Sequence, residues 1–379
     1  MKVKRSLLGD CIRITSGFPF EAAKFNDQRN GLPVVRIRDV VRGFSETYYL
    51  GDYPKTAELS NGDLLIGMDG EFNIAPWHGG LALLNQRVCK ITPIDGIADA
   101  AYLKHALALV LKRIEAATPF VTVKHLSVDD LNESEIDLPS LAEQRRIAAQ
   151  LEQADRLRRT RRYTLALSDT FLPATFRRMF GKPDNIVRLE DCAEIVSGIA
   201  KGQKYGERQT VSAPYLRVAN VQDGFLDLSE IKFIEAVPED VAELTLMPGD
   251  VLMTEGGDYD KLGRGAIWRG ELSGCIHQNH VFRVRLDSEK VLPVFFAEFL
   301  RSSAAKSYFL SCAKQTTNLA SINMTQLRAT PLPVPPLTQQ RAFAAVVREH
   351  ERLRAVQRES LRQAEHLFQT LLHRAFVPA

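Results

Sequence analysis

Leu141-Ala-Glu-Gln-Arg145 and Leu337-Thr-Gln-Gln-Arg341 open two 40-residue stretches, Leu141 to Phe180 and Leu337 to Phe376, that repeat one another at a constant offset of 196. Within them Ala148-Ala149 matches Ala344-Ala345, and Arg156-Leu157-Arg158 matches Arg352-Leu353-Arg354. Arg162, Leu165, Arg178 and Phe180 match Arg358, Leu361, Arg374 and Phe376. A register that never slips over that length marks an internal duplication. Apolar positions recur at three- and four-residue steps: Ile147, Leu151, Ala154, Leu165, Leu172 and Met179 in the first copy. Their counterparts are Phe343, Val347, His350, Leu361, Phe368 and Ala375. This spacing predicts two helices of roughly 60 Å each, at 1.5 Å per residue. Ser140-Leu-Ala-Glu143 reads as a capping box for the first, and Pro335-Pro336 precedes the second. Pro173 is expected to kink the first helix. Helices so long and so charged need a partner, and the duplication supplies one. Antiparallel pairing within the chain is the expected arrangement, with Arg158, Arg159, Arg161, Arg162, Arg354 and Arg358 exposed.

The sequence before each helix also repeats, more loosely. At an offset of 181, Asp10-Cys11 and Ser16-Gly17 match Asp191-Cys192 and Ser197-Gly198. Pro33, Arg36, Val40 and Gly43-Phe44 match Pro214, Arg217, Val221 and Gly224-Phe225 at the same offset, and Gly62-Asp63 matches Gly249-Asp250 at 187. Loops lengthened in the second half explain the rising offset. Short strands are expected at Pro33 to Val41, Asp63 to Gly67 and Arg87 to Ile91. Their partners are Pro214 to Val221, Asp250 to Thr254 and His280 to Leu286. One helix per unit is expected, about Asp99 to Ala116 and about Leu292 to Phe309.

Composition narrows the function. The 379 residues are 45% hydrophobic and 25% charged, with a net charge of +3, as in ordinary globular proteins. The two repeated helical segments hold a net +8, leaving −5 on the rest, so any basic face is local. No apolar run reaches the roughly 18 residues of a membrane span. Five cysteines at scattered spacings read as reduced, mostly buried thiols of a cytoplasmic protein. There is no phosphate loop, no Rossmann glycine fingerprint and no nucleophile elbow. His277 and His280 lack companions at metal-ligand spacing, and Glu230-Ile-Lys232 has the shape of a nuclease metal site with no counterpart in the first half. No catalytic, metal or cofactor site is expected. Two unlike copies of one module suit a protein that reads two sites, and base edges are read by Arg, Lys, Asn and Gln. Candidate nucleic-acid contacts are Lys24, Arg36, Arg38, Arg87 and Lys124 in the first unit. In the second they are Lys201, Lys204, Arg217, Lys261, Arg264, Gln278, Asn279, Gln315 and Asn318. Arg36 and Arg217 sit in apolar strand patterns, where buried salt bridging is an equal alternative to DNA contact.

Leu138-Pro-Ser-Leu-Ala-Glu-Gln-Arg-Arg-Ile147 and Val334-Pro-Pro-Leu-Thr-Gln-Gln-Arg341 resemble the junction motif that introduces each conserved helix in specificity subunits of type I restriction-modification systems. The Ser-Gly starts and Gly-Asp turns are similar to that family's target recognition domains. The resemblance covers the whole chain, departing at Gln339 for Glu143 and at Ala342-Phe343 for Arg146-Ile147. It implies an α+β fold, two pseudo-symmetric mixed α/β recognition domains separated by a long antiparallel two-helix coiled coil. The boundaries would be 1–137 for the first recognition domain, 138–181 for junction and helix, 182–330 for the second recognition domain and 331–379 for the second junction and helix. It further implies a non-catalytic subunit that binds double-stranded DNA at a bipartite, asymmetric target. Partners would be two DNA methyltransferase subunits and restriction/translocase subunits, with no membrane. Rival readings of the residues are a coiled-coil scaffold with two protein-binding domains, and a restriction enzyme with a degenerate nuclease site.

Overall fold

The computed structural model describes residues 4–117, 124–315 and 320–376. The fold is α+β, and the chain divides into two compact units, 1–161 with 361–379, and 162–360. Each unit takes part of both long helical segments.

In the first unit an antiparallel sheet runs in the order Ile12–Ser16, Val88–Pro93, Leu64–Gly67, Ile74–Pro76. Helix Ala100–Ala117 lays Leu103, Leu107, Val110 and Leu111 on Ile12, Ile66, Cys89 and Ile91 of that sheet. A second sheet contains one parallel pairing, Val34 with Leu83 and Val35 with Leu84. Strand Lys4–Leu7 pairs with Glu135–Leu138, which leads into the long helix.

The second unit repeats this plan. Its sheet runs Ala193–Ser197, Val281–Leu286, Val251–Thr254, Gly265–Ile267. The parallel pairing recurs as Tyr215 with Ile276, and Ile186–Arg188 pairs with Pro331–Pro333 ahead of the second long helix. The aligned sequence motifs become equivalent turns. Gly62 and Gly249 have φ of 96° and 99°, a conformation open to glycine at little cost. Asp63 and Asp250 then accept from the backbone N–H of Ser60 and Met247 at 2.8 and 2.7 Å. A Cβ on Gly17 would lie 2.0 Å from the Asn85 carbonyl oxygen, and one on Gly198 1.9 Å from that of His277. The Ser-Gly repeat therefore marks a close approach of two backbones in each unit.

Several expected elements differ. Strand Leu32–Val35 ends before Arg36, and Ile37–Arg42 is helical, closed by Gly43 at φ 75°. Asp39 causes the switch, because its Oδ2 accepts from the Arg36 N–H at 3.1 Å and opens a helical turn. Asn220 does the same for Arg217 at 2.9 Å, so strand Val211–Leu216 gives way to a 3-10 turn at Val218–Asn220. Arg36 and Arg217 thus cap turns rather than lie within strands. The expected helix Leu292 to Phe309 is two helices, Pro293–Leu300 and Ser303–Cys312. Ser302 separates them, its Oγ accepting from the Ala305 N–H at 3.3 Å.

The first long segment is also broken, into Leu141–Ser168 and Phe171–Phe180, whereas Leu337–Phe376 is continuous. The break precedes Pro173 and does not fall on it. Proline lacks an N–H to bond four residues back, so it sits in the first turn of a new helix, where no such bond is needed. The capping box is half made. Ser140 Oγ accepts from the Glu143 N–H at 3.4 Å, but the Glu143 carboxylate turns to Arg146 at 2.6 Å, which holds it below the usual carboxylate range.

The segments pair antiparallel within each unit. In the first, Ala154 packs on Phe368 and Ile147 on Phe376, so one helix ascends as the other descends. In the second, Ser168 O lies 3.0 Å from His350 Nε2, while Phe176 and Phe180 stand edge-on to Phe343 at 5.5 Å. Phe176 and Phe180 fill the core where Met179 was expected, and Met179 is exposed. Two arginines expected on the surface are drawn in. Arg158 lies 3.9 Å over the Phe368 ring and pairs with Asp155, and Arg354 pairs with Asp169.

Gln144 and Gln340 are fully buried. The Gln144 amide donates to Ile97 O and Pro139 O and accepts from Asp99 N, each at 2.9 Å. Gln340 donates to Lys290 O and Pro335 O at 2.9 and 2.8 Å and accepts from Leu292 N at 2.8 Å. Replacing either by Leu strands three backbone groups, at about 1–3 kcal/mol for each unsatisfied group. Gln144→Leu is expected to lower the urea midpoint of the first unit by the equivalent of about 3 kcal/mol; an unchanged midpoint would show that these bonds are dispensable.

Burial also sets a pH response. His105, against Phe368, and His277, with Nδ1 2.7 Å from Val281 O, are both pushed down to about 4, chiefly by desolvation. The unfolded chain then binds protons between pH 6.5 and 4 that the folded chain refuses. Stability is full above pH 6.5 and falls as pH drops through this window, on the order of 3 kcal/mol per histidine at the acid end. His105→Leu is expected to flatten this fall in urea titrations at pH 7, 6 and 5. A wild-type-to-variant difference that does not change with pH would refute it.

Candidate nucleic-acid interface

The candidate residues divide by how they are held. Arg36 lies 4.9 Å from the Phe25 ring centroid, and Arg217 bonds Glu230 at 3.0 Å. Arg264 donates to Gln222 Oε1 at 3.1 Å and Val218 O at 3.2 Å, and Lys124 Nζ donates to Glu115 O at 2.5 Å. These four brace loops. The other cations stand further out. Arg38 is 60% exposed beside Asp39, Lys24 pairs with Glu21 and Lys261 with Asp258. Lys24 is raised above its ordinary pKa by Glu21, and Asp258 lowered by Lys261. Lys201 and Lys204 are exposed in the turn after Ile199.

Gln278 and Asn279 are half-buried where Gly198 meets the sheet. The Gln278 N–H bonds Leu216 O, the Asn279 N–H bonds Ile199 O, and Asn279 O accepts from Ser197 Oγ at 2.7 Å. Gln315 lies in strand Lys314–Gln315, and Asn318 falls outside the described residues. Among the described residues no three His, Cys, Asp or Glu are arranged to hold a metal, and no helix is long and apolar enough to cross a membrane. Glu230 is held below the usual carboxylate range by Arg217 and Lys232.

Side chains absent from the sequence-derived set gather at the same end of each sheet. In the first unit Asp69 joins Arg87 at 3.2 Å and His125 Nδ1 at 2.6 Å. In the second, Glu255 meets His280 Nδ1 at 2.5 Å. The backbones beneath are equivalent. Met68 N donates to Arg87 O and Glu255 N to His280 O, both at 3.0 Å, while Leu126 N and Ile322 N reach Met68 O and Glu255 O at 2.8 Å. Asp69 and Glu255 lie in the loops Gly67–Asn73 and Thr254–Asp260, whose sequences differ between the copies. That difference was the available signal.

Residues 2–165 match the model of the type I restriction modification DNA specificity domain. The chain is 31% identical over 401 residues to the EcoBI specificity subunit of Escherichia coli, covering 96% of this chain and 83% of that protein. Its fold is similar to the S subunit of a type I restriction-modification system from M. genitalium, with a TM-score of 0.61, 15% identity, and coverage of 100% and 97%. It is similar also to a chain of a type I R-M system solved to describe complex assembly and conformational transition, with a TM-score of 0.60, 18% identity and 99% coverage of both. With the duplicated units, paired helices and junction motifs, the match along nearly the whole chain places this protein in the family of type I restriction enzyme specificity subunits, the non-catalytic DNA-recognition subunits of those systems.

Proposed function

We propose that this chain reads a bipartite, asymmetric double-stranded DNA target, one half-site per recognition domain, and carries that choice to two DNA methyltransferase subunits and to restriction/translocase subunits. The recognition domains are 1–137 and 182–330; the junctions and helices are 138–181 and 331–379. The observation that carries this reading is the duplication itself. Turns, sheet order and buried hydrogen bonds coincide in the two units, while the loops at one end of each sheet carry different side chains. A palindrome would require matching half-sites from matching surfaces. Lys24, Arg38, Arg87, Lys201, Lys204, Lys261, Gln278, Asn279, Gln315 and Asn318 supply contacts to phosphates and base edges. Arg36, Lys124, Arg217 and Arg264 hold the loops that present them. The protein works in the cytoplasm, where its DNA lies.

Methylation mapping of DNA modified by the assembled complex tests this directly. Two different short half-sites with a fixed unread spacer are expected. Duplex binding should weaken steeply between 50 and 200 mM salt, since phosphate contacts release counterions. A palindromic target, or binding indifferent to salt, would refute the reading.

A further inference from the structure

We infer that the exposed acid–base cluster at the sheet end of each unit is a base-reading position, with Arg87 selecting guanine in the first half-site and His280 standing at the equivalent position of the second. The inference rests on the proposed DNA reading and extends it to named side chains and a base class. Its basis is a shared frame with unlike chemistry. Arg87 and His280 each immediately precede an inner strand of their sheet, Val88–Pro93 and Val281–Leu286, and each offers its carbonyl to the loop that bears an acid, Asp69 or Glu255.

The first cluster is built to aim a guanidinium. The Asp69 side chain is 18% exposed and held on both oxygens, Oδ1 by His125 Nδ1 at 2.6 Å and Oδ2 by Arg87 Nη1 at 3.2 Å. Arg87 remains 54% exposed. An exposed ion pair contributes little to stability, so three ordered side chains here are poorly explained by folding. A carboxylate also repels phosphates, which argues against a simple backbone contact. In the major groove a cytosine–guanine pair shows a donor, cytosine N4, beside two acceptors, guanine O6 and N7. Asp69 and Arg87 present the complement, an acceptor beside a fork of donors. Asp69 both faces the base pair and positions Arg87, and His125 positions Asp69. In the second unit His280 has a ring nitrogen in place of the fork, and Glu255 is its only acidic partner among the contacts described. The two half-sites therefore differ at this position.

The test is selection from a duplex library randomised in both half-sites, using the full chain assembled with its methyltransferase subunits. Wild type must select a sequence; if it selects none, the DNA reading itself fails. With wild type selective, Arg87→His and Arg87→Lys are expected to lose guanine preference at one position of the first half-site by about tenfold to a hundredfold. The lysine variant keeps the charge and loses the fork. D69N should weaken the same preference by less, and H280R should create a guanine preference at one position of the second half-site. An unchanged second half-site in the Arg87 variants shows that they are folded. The inference is overturned by equal weakening across all sequences, which marks a phosphate contact. It is overturned equally by unchanged selectivity, by loss confined to an adenine–thymine position, or by H280R leaving the second half-site unaltered.

Discussion

Two buried glutamine amides fix where each long helix begins. Gln144 and Gln340 each saturate two carbonyls and one N–H belonging to the helix start and to the segment ahead of the helix packed on the sheet. A side-chain amide offers two donors and an acceptor with two lone pairs, so it satisfies several backbone groups at once where no water reaches. Leucine of similar volume would bury the same surface and leave those groups stranded. The direction in which each helix leaves its sheet follows from these bonds, and pairing within each unit depends on that direction.

Around this constraint the rest is layered packing. Aromatic rings close the second unit, with Phe295 5.3 Å from Phe176 and 5.0 Å from Phe180. The first unit uses smaller groups, Ala148 and Ala154, with Tyr102 and Phe376 in contact at 5.2 Å. Ala148 and Phe376 match Ala344 and Phe180 in the repeat, whereas Ile147 and Leu372 stand where the second unit has Phe343 and Phe176, so only some equivalent positions change volume. Arg158 and Arg354 show the same freedom. One covers an aromatic ring, and the other pairs with the acid at the helix break.

Periodicity and duplication made the helices, their antiparallel pairing and the repeat of units legible before any coordinates. The strands at Leu64–Gly67, Val88–Pro93, Val251–Thr254 and Val281–Leu286 were legible for the same reason, as short apolar runs bounded by turn residues. The departures have local causes. Arg36 and Arg217 sit in apolar runs that resemble strands, yet a polar side chain three residues on captures their N–H and starts a turn. A single side-chain bond outweighs propensity there. Pro173 misled by position, since a proline announces a discontinuity but is best tolerated just after it. Of the candidate contacts, the exposed lysines were found by type. The Asp69–His125 pair beside Arg87 was not, because those two residues are 56 positions apart and come together only through a bridge between distant loops.

The two copies diverge in one kind of place and agree in another, and energetics separates them. Asp63 and Asp250, Asp39 and Asn220, Gln144 and Gln340 all serve backbone groups from buried or half-buried positions. Losing such a group leaves an unsatisfied donor or acceptor at about 1–3 kcal/mol, a large part of a domain's net stability. The pairs at Asp69 and Glu255 are partly exposed, and exchanging one for another costs the fold about 0–1 kcal/mol. A duplicated module under these terms keeps its frame while its loop ends change freely. Two units with one architecture and two chemistries are what such a duplicated module becomes.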